Sequence, residues 1–245
     1  MYSNGYIFRY ASIMVILVAA ILSAAAMLLK PAQQRNEDVD KMQSILAAAG
    51  LRDVPVKDAI QVFNKSVTDM IVIDKNGSVV DDYKDDNKQQ SRAFKINLKD
   101  ELYKKSIGKD YELALYVIEN DGEKIYIVPL RGVGLWGPIW GNIALKSDFK
   151  TVIGVTFGHK SETPGLGAEI ETINFQNQFP GKLIFDENGN FTSVRVVKGG
   201  IANIPVANQI HAVDAVSGGT ITSNGTSEML KNVLESYVPY FKKQG

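Results

Sequence analysis

Glu112-Leu113-Ala114-Leu115-Tyr116-Val117-Ile118-Glu119 runs into Asn120-Asp121-Gly122-Glu123, and Lys124-Ile125-Tyr126-Ile127-Val128-Pro129-Leu130 runs out of it. Two β-branched and aromatic stretches on either side of an Asp-Gly turn predict a β-hairpin. The same pattern recurs outward in both directions. Thr68-Asp69-Met70-Ile71-Val72-Ile73-Asp74 leads into Lys75-Asn76-Gly77, and residues 148–157 add a further β-branched run. Leu183-Ile184-Phe185 and residues 191–197 bracket Asp186-Glu187-Asn188-Gly189-Asn190 as another hairpin. Helices are expected at the ends: 40–49, closed by Gly50, and 56–65, with Ile60 and Phe63 on one side and Pro55 near its start. A last helix spans 223–241, where Met229, Leu230, Val233, Leu234, Tyr237 and Val238 fall at amphipathic spacing and Pro239 marks the fraying end. Residues 81–90 are polar and read as a loop. The fold class is therefore α+β, an antiparallel sheet with flanking helices, forming one domain over residues 41–245.

Ahead of that domain lies an uncharged run from Tyr10 to Leu29, after a tail of residues 1–9 and before a polar juncture at 30–40. As a helix rising about 1.5 Å per residue it matches the roughly 30 Å hydrocarbon core of a bilayer. The rival reading is a cleaved signal peptide, since Ser23 to Ala26 offers small residues, although the apolar run continues through Met27-Leu28-Leu29. Charge leaves the orientation open: Arg9 precedes the run while Lys30, Arg35 and Lys41 follow it. Lys plus Arg and Asp plus Glu number 27 each, so no basic field recruits nucleic acid. The absence of cysteine removes disulfides, thiolate chemistry and iron–sulfur ligation by Cys. Redox chemistry in such a chain needs an organic cofactor. His159 and His211 stand far apart with no partner at metal-ligand spacing, so no metal site is legible.

Three segments carry chemistry. Gly132-Val133-Gly134-Leu135-Trp136-Gly137-Pro138-Ile139-Trp140-Gly141 reads as a glycine-rich loop holding both tryptophans. Trp136 is a candidate face for a planar ligand, whereas Trp140 is expected to fill the core beneath the loop. His159-Lys160-Ser161-Glu162-Thr163-Pro164-Gly165-Leu166-Gly167 follows a strand end, where a rigid scaffold presents polar groups. Amides of Gly165 and Gly167 are free to bond a ring whose face Leu166 covers. Asp214-Ala215-Val216-Ser217-Gly218-Gly219-Thr220-Ile221-Thr222-Ser223 is a hydroxyl-rich turn feeding the last helix. Helix-start amides lack intrahelical partners and favour anions, which makes Thr220 a phosphate-ready threonine; the same residues also serve as ordinary turn and capping residues.

Taken in order behind one apolar segment, Gly134-Leu135-Trp136-Gly137-Pro138-Ile139-Trp140, His159-x-x-Glu162-Thr163-Pro164-Gly165-Leu166-Gly167 and Asp214-x-x-Ser217-Gly218-x-Thr220 resemble the C subunits of the sodium-translocating NADH:quinone oxidoreductases. The last of these resembles the flavin attachment motif Asp-x-x-Ser-Gly-Ala-Thr, with Gly219 in place of alanine. The resemblance spans nearly the whole chain. It implies a single-pass inner-membrane subunit with its domain in the periplasm and FMN covalently held by its phosphate on Thr220. It also implies an external flavin transferase that works from FAD with a divalent metal, and no basic residue beside Thr220 offers to activate its hydroxyl for self-modification. Asp214, Ser217, Gly218 and Gly219 shape the turn or serve transferase recognition. Ser217 and Thr222 are candidate phosphate donors, and His159, Glu162, Thr163, Pro164, Gly165, Leu166, Gly167 and Trp136 are candidates near the ring. No acid–base pair marks an independent active site, so the reading is an electron relay among the other subunits of a sodium-pumping complex.

Three other readings stay open on sequence. The G subunit of Rnf-type ferredoxin:NAD oxidoreductases shares the attachment motif. A membrane-tethered binding or scaffold domain would use the turn only to cap a helix. A threonine-nucleophile hydrolase would need His159 or His211 to fold against Thr220.

Overall fold

The computed structural model describes residues 3–120 and 122–244. The chain divides into two compact units, Met1–Lys41 and Met42–Gly245. The first unit is formed by helix α1, which spans Asn4–Ala48 as a whole; among the described residues it is the one helix long and apolar enough to cross a membrane. Residues 33–40 continue that helix, which also accommodates Pro31. Gly50 closes α1 as expected: it sits at φ +96, its N–H donates to Ala47 O, and Leu51 N–H donates to Leu46 O.

The second unit is built on six antiparallel strands, β1 (Val67–Asp74), β2 (Val79–Tyr83), β3 (Glu112–Asn120), β4 (Glu123–Val133), β5 (Pro138–Leu145) and β6 (Val152–His159), in the order β2-β1-β3-β4-β5-β6. Helices α2 (Ala59–Ser66), α3 (Arg92–Lys95), α4 (Leu98–Ser106), α5 (Ile173–Gln176), α6 (Val206–Gln209) and α7 (Thr220–Gln244) accompany it, with a two-stranded parallel pair, β7 (Arg195–Val197) and β8 (Ala212–Asp214). Alternation along the strands sends side chains to two cores. Leu115, Val128, Leu130, Ile139 and Ile143 meet Met229, Leu230, Val233, Leu234 and Tyr237 of α7. On the other face, Val72, Tyr116, Ile118 and Ile127 meet Met42, Ile45, Leu46, Phe63 and Phe94. Each fully buried aliphatic chain contributes about 1.5–3 kcal/mol, so the amphipathic stripe on α7 fixes where its first residue lies.

The hairpin at Asn76-Gly77 forms as expected. Gly77 takes φ +73, and Asp74 Oδ1 accepts from Asn76 and Ser78 N–H at 2.9 and 2.8 Å. The β3–β4 pairing is likewise present, although Asp121 of its turn lies outside the described residues. Other expectations change. Residues 81–83, read as loop, belong to β2, where they pair with Met70, Ile71 and Val72. The turn at 186–190 forms, but its flanks meet through the isolated bridge Phe185↔Phe191 and amide bonds from Thr192 and Ser193 to Ile184 O rather than as a strand pair, and β7 pairs in parallel with β8 instead. Pro239 lies inside α7 rather than at its end. Its missing amide is tolerated because Tyr240 and Phe241 bury their rings and the helix backbone presses on Gly77, where any Cβ would collide with Tyr240 N.

Candidate functional site

The three chemistry-bearing segments converge at the start of α7. The tryptophan segment is a hairpin rather than a long loop: β4 ends at Val133, β5 begins at Pro138 opposite it, and Gly134 N–H closes the turn on Gly137 O at 2.8 Å. Close approach explains the glycines. A Cβ on Gly225 of α7 would strike Val133 O, and one on Gly132 would lie 2.6 Å from Met229 Cβ, so α7 rests directly on the end of β4.

Glu162 joins the pieces. Its carboxylate is 5% exposed; Oε1 accepts from Trp136 N–H at 2.8 Å and Oε2 accepts from the Thr222 hydroxyl at 2.6 Å. Glu162 N–H in turn donates to His159 Nδ1 at 3.2 Å, which leaves the ring proton on Nε2, 3.3 Å from Glu171 Oε2. Ser161 Oγ donates to Trp136 O at 2.9 Å. Gly134 and Gly167 line the carboxylate: a Cβ on Gly134 would lie 2.5 Å from Oε1, and one on Gly167 would overlap both Oε2 and Thr222 Oγ1. A buried carboxylate needs such partners, and here it gains them from two stretches remote in sequence, Trp136 and Thr222.

Above this base lies the threonine turn. Gly218 takes φ +72, Gly219 N–H bonds Val216 O, and Ser223 Oγ accepts from Val216 N–H at 3.2 Å. A Cβ on Gly218 would lie 2.5 Å from Leu166 Cδ2, and one on Gly219 3.3 Å from Gly167 N, so the 162–167 segment abuts the turn. Thr220 opens α7, half-buried, and its hydroxyl has no hydrogen-bond partner among the described residues. The amides of Thr220, Ile221 and Thr222 are likewise unpaired among the described residues, as expected for the first turn of a helix. Around them stand exposed apolar side chains: Trp136 at 63%, Leu166 at 43% and Ile221 at 57% exposure.

Several expected roles shift. Thr222 is 1% exposed and its hydroxyl proton is committed to Glu162, so it is not a free phosphate donor. Gly165 N–H already donates to Glu169 Oε1 at 3.0 Å, leaving Gly167 N–H as the unpaired amide of the two. Thr163 and Pro164 are exposed in the same loop. Glu162 and His159 act from beneath, with their polar atoms turned to protein partners. Asp214 is engaged elsewhere, accepting from Ile201 N–H at 2.6 Å, while Ser217 stays exposed. Trp140, expected in the core, is 41% exposed, because the alternation that buries Ile139 turns it to the opposite face over Gly158. His211 is no partner for Thr220: its Nδ1 faces Leu183 O at 2.7 Å. Sequence reading gave Ser223 no role of its own and overlooked Gly225; a glycine inside a helical pattern was the available signal for the second.

A glycine-lined threonine turn at the head of a helix, braced by a strand-end loop, places the site within an FMN-binding domain, whose family model matches residues 134–235. The C subunit of the Na(+)-translocating NADH-quinone reductase of Yersinia pestis is 32% identical over 94% of this chain and 89% of its own length. The protein of the same name from Vibrio anguillarum is 34% identical over 84% and 80%. The crystal structure of the corresponding C subunit from Parabacteroides distasonis is 39% identical, covers 89% of this chain and 98% of that one, and superposes with a TM-score of 0.75. The chain belongs to this family, the C subunits of the Na(+)-translocating NADH-quinone reductases.

Proposed function

We propose that this chain is a membrane-anchored electron-transfer subunit that carries FMN esterified through its phosphate to Thr220 Oγ1 and works within a sodium-pumping NADH:quinone oxidoreductase. Residues 10–29 form the membrane span between a tail at 1–9 and a juncture at 30–40, and residues 41–245 form the flavin domain on the periplasmic side. The observation that carries the reading is the unpaired Thr220 hydroxyl beside three unpaired helix-start amides. A phosphate fits there, since those donors and the helix dipole favour negative charge. The flat ring of FMN fits the exposed Trp136, Leu166 and Ile221, and Gly167 N–H remains to bond its edge. When bound, the flavin supplies the electron-transfer chemistry.

The protein's part is to hold and shield. Glu162 fixes the Trp136 hairpin against α7, and Gly218 lets the turn pass Leu166. The Thr220 hydroxyl, unassisted by any neighbouring base, requires a flavin transferase; it gives up its proton and displaces AMP from FAD, and a phosphoester replaces the phosphoanhydride.

The test is the intact mass of the full chain expressed in a flavinylating host. The wild type should be heavier by one FMN less water and fluoresce as flavin after denaturing electrophoresis. Thr220→Ala should have neither property. An increment that survives Thr220→Ala would move the anchor, and a wild-type chain without chromophore beside an active transferase would favour a scaffold.

A further inference from the structure

We propose that the unit Met42–Gly245 carries a second ligand site, for a small amphiphilic monoanion, at the end of α7 remote from Thr220. Twenty-one residues of helix separate Thr220 from Phe241, on the order of 30 Å, so the two sites share no residue. A cavity of about 400 Å³ lies there, lined by Asp148, Phe149, Lys150, Phe185, Phe241 and Lys242. That volume falls in the range of small-molecule pockets, roughly 300–1,000 Å³.

Its wall is aromatic and rigid. Phe149 stacks on Phe241 with centroids 5.4 Å apart and 23° between planes, and lies 4.4 Å from the Tyr126 ring. Phe185 is held edge-on by Phe191 at 5.7 Å. Phe149 takes φ +54, a left-handed conformation that bulky residues rarely adopt, and its N–H is tied to Lys146 O.

The rim is net cationic, with Lys150 and Lys242 against the single carboxylate of Asp148. The Asp148 carboxylate is spent on its own loop: Oδ1 accepts from Lys150 and Thr151 N–H, and Oδ2 accepts from the Thr151 hydroxyl at 2.6 Å. The ammonium groups of Lys150 and Lys242 have no hydrogen-bond or ion-pair partner among the described residues. An aromatic wall beneath two free ammoniums recognises a carboxylate carried on a ring or short chain. A neutral analogue loses the charge, and a small acid loses the wall.

The test uses the full chain in lipid nanodiscs, because detergent is itself an amphiphile. Calorimetric titration with 2-naphthoate and with octanoate should give saturable binding of at least one, and the tighter of the two tells ring from chain. Binding should weaken about tenfold for 2-naphthalenemethanol and about tenfold in the K150Q/K242Q chain, whose exposed substitutions leave the fold intact by circular dichroism. No saturable binding of either acid below ~10 mM would overturn the site. Equal affinity for the neutral alcohol, or no effect of K150Q/K242Q, would do so too. The outcome is independent of the flavin reading.

Discussion

Thr222→Val tests the base of the flavin site directly. The Thr222 hydroxyl donates to Glu162 Oε2 at 2.6 Å, with Thr222 1% and Glu162 5% exposed. Valine keeps the β-branched shape, so helix propensity and packing change little. What is lost is a hydrogen bond to a charged group, about 1.5–3 kcal/mol, and the abandoned oxygen stays buried. A net loss of about 2–3 kcal/mol follows. For a unit the size of Met42–Gly245, each kcal/mol shifts the midpoint by about 2–4 °C, so the expected drop is about 5–10 °C. Thr226→Val is the internal control: its hydroxyl is as deeply buried but donates to the neutral Thr222 O at 2.9 Å, for about 1 kcal/mol. Urea and thermal unfolding followed by near-ultraviolet circular dichroism give both values. The E162Q/T222V pair should cost about 1 kcal/mol less than the sum of its members, because they share one interaction. If T222V proves no worse than T226V, Glu162 does not join the three segments as its contacts imply.

Gly225→Ala should destabilise the same unit by about 1–2 kcal/mol, since the overpacking against Val133 O outweighs the helix propensity alanine adds; a more stable variant in urea would mean that α7 and β4 are not this close. Acid should loosen two turns. The Ser78 amide holds the Asp74 carboxyl below its ordinary 3.8, with the Asn76 amide assisting, and the Asn190 side chain and amide do the same for Asp186. Depressed carboxyls stabilise the fold fully above their unfolded value, and the contribution is lost as pH falls below 3.8 through the folded values. The D74N/D186N chain should therefore lose stability less steeply below about pH 4 than the wild type, and matching slopes would contradict it.

Local signals made much of the fold legible. Asn76-Gly77 and the 112–130 stretch declare hairpins because turn geometry and strand propensity act over a few residues. The buried stripe of α7 was visible for the same reason. Trp140 misled because a period-two strand alternates faces, and reading 132–141 as loop hid that alternation. The β7–β8 pair escaped because two three-residue strands joined in parallel leave no turn between them to read. At the site, the residue types were legible and their division of labour was not. Whether Glu162 faces a ligand or a buried threonine depends on contacts between distant segments, and nothing within either segment encodes the partner. Thr222 and Thr220 lie two positions apart, yet the helix turns one inward and leaves the other half-open.

The convergence on Glu162 has a consequence for timing. The tryptophan hairpin, the strand-end loop and the head of α7 are remote in sequence and meet through Glu162, so an unfolded chain displays the threonine without its neighbours. Any enzyme that demands the whole neighbourhood before it acts is inspecting a finished product. Under the attachment proposed at Thr220, such an enzyme would leave its mark on folded chains alone.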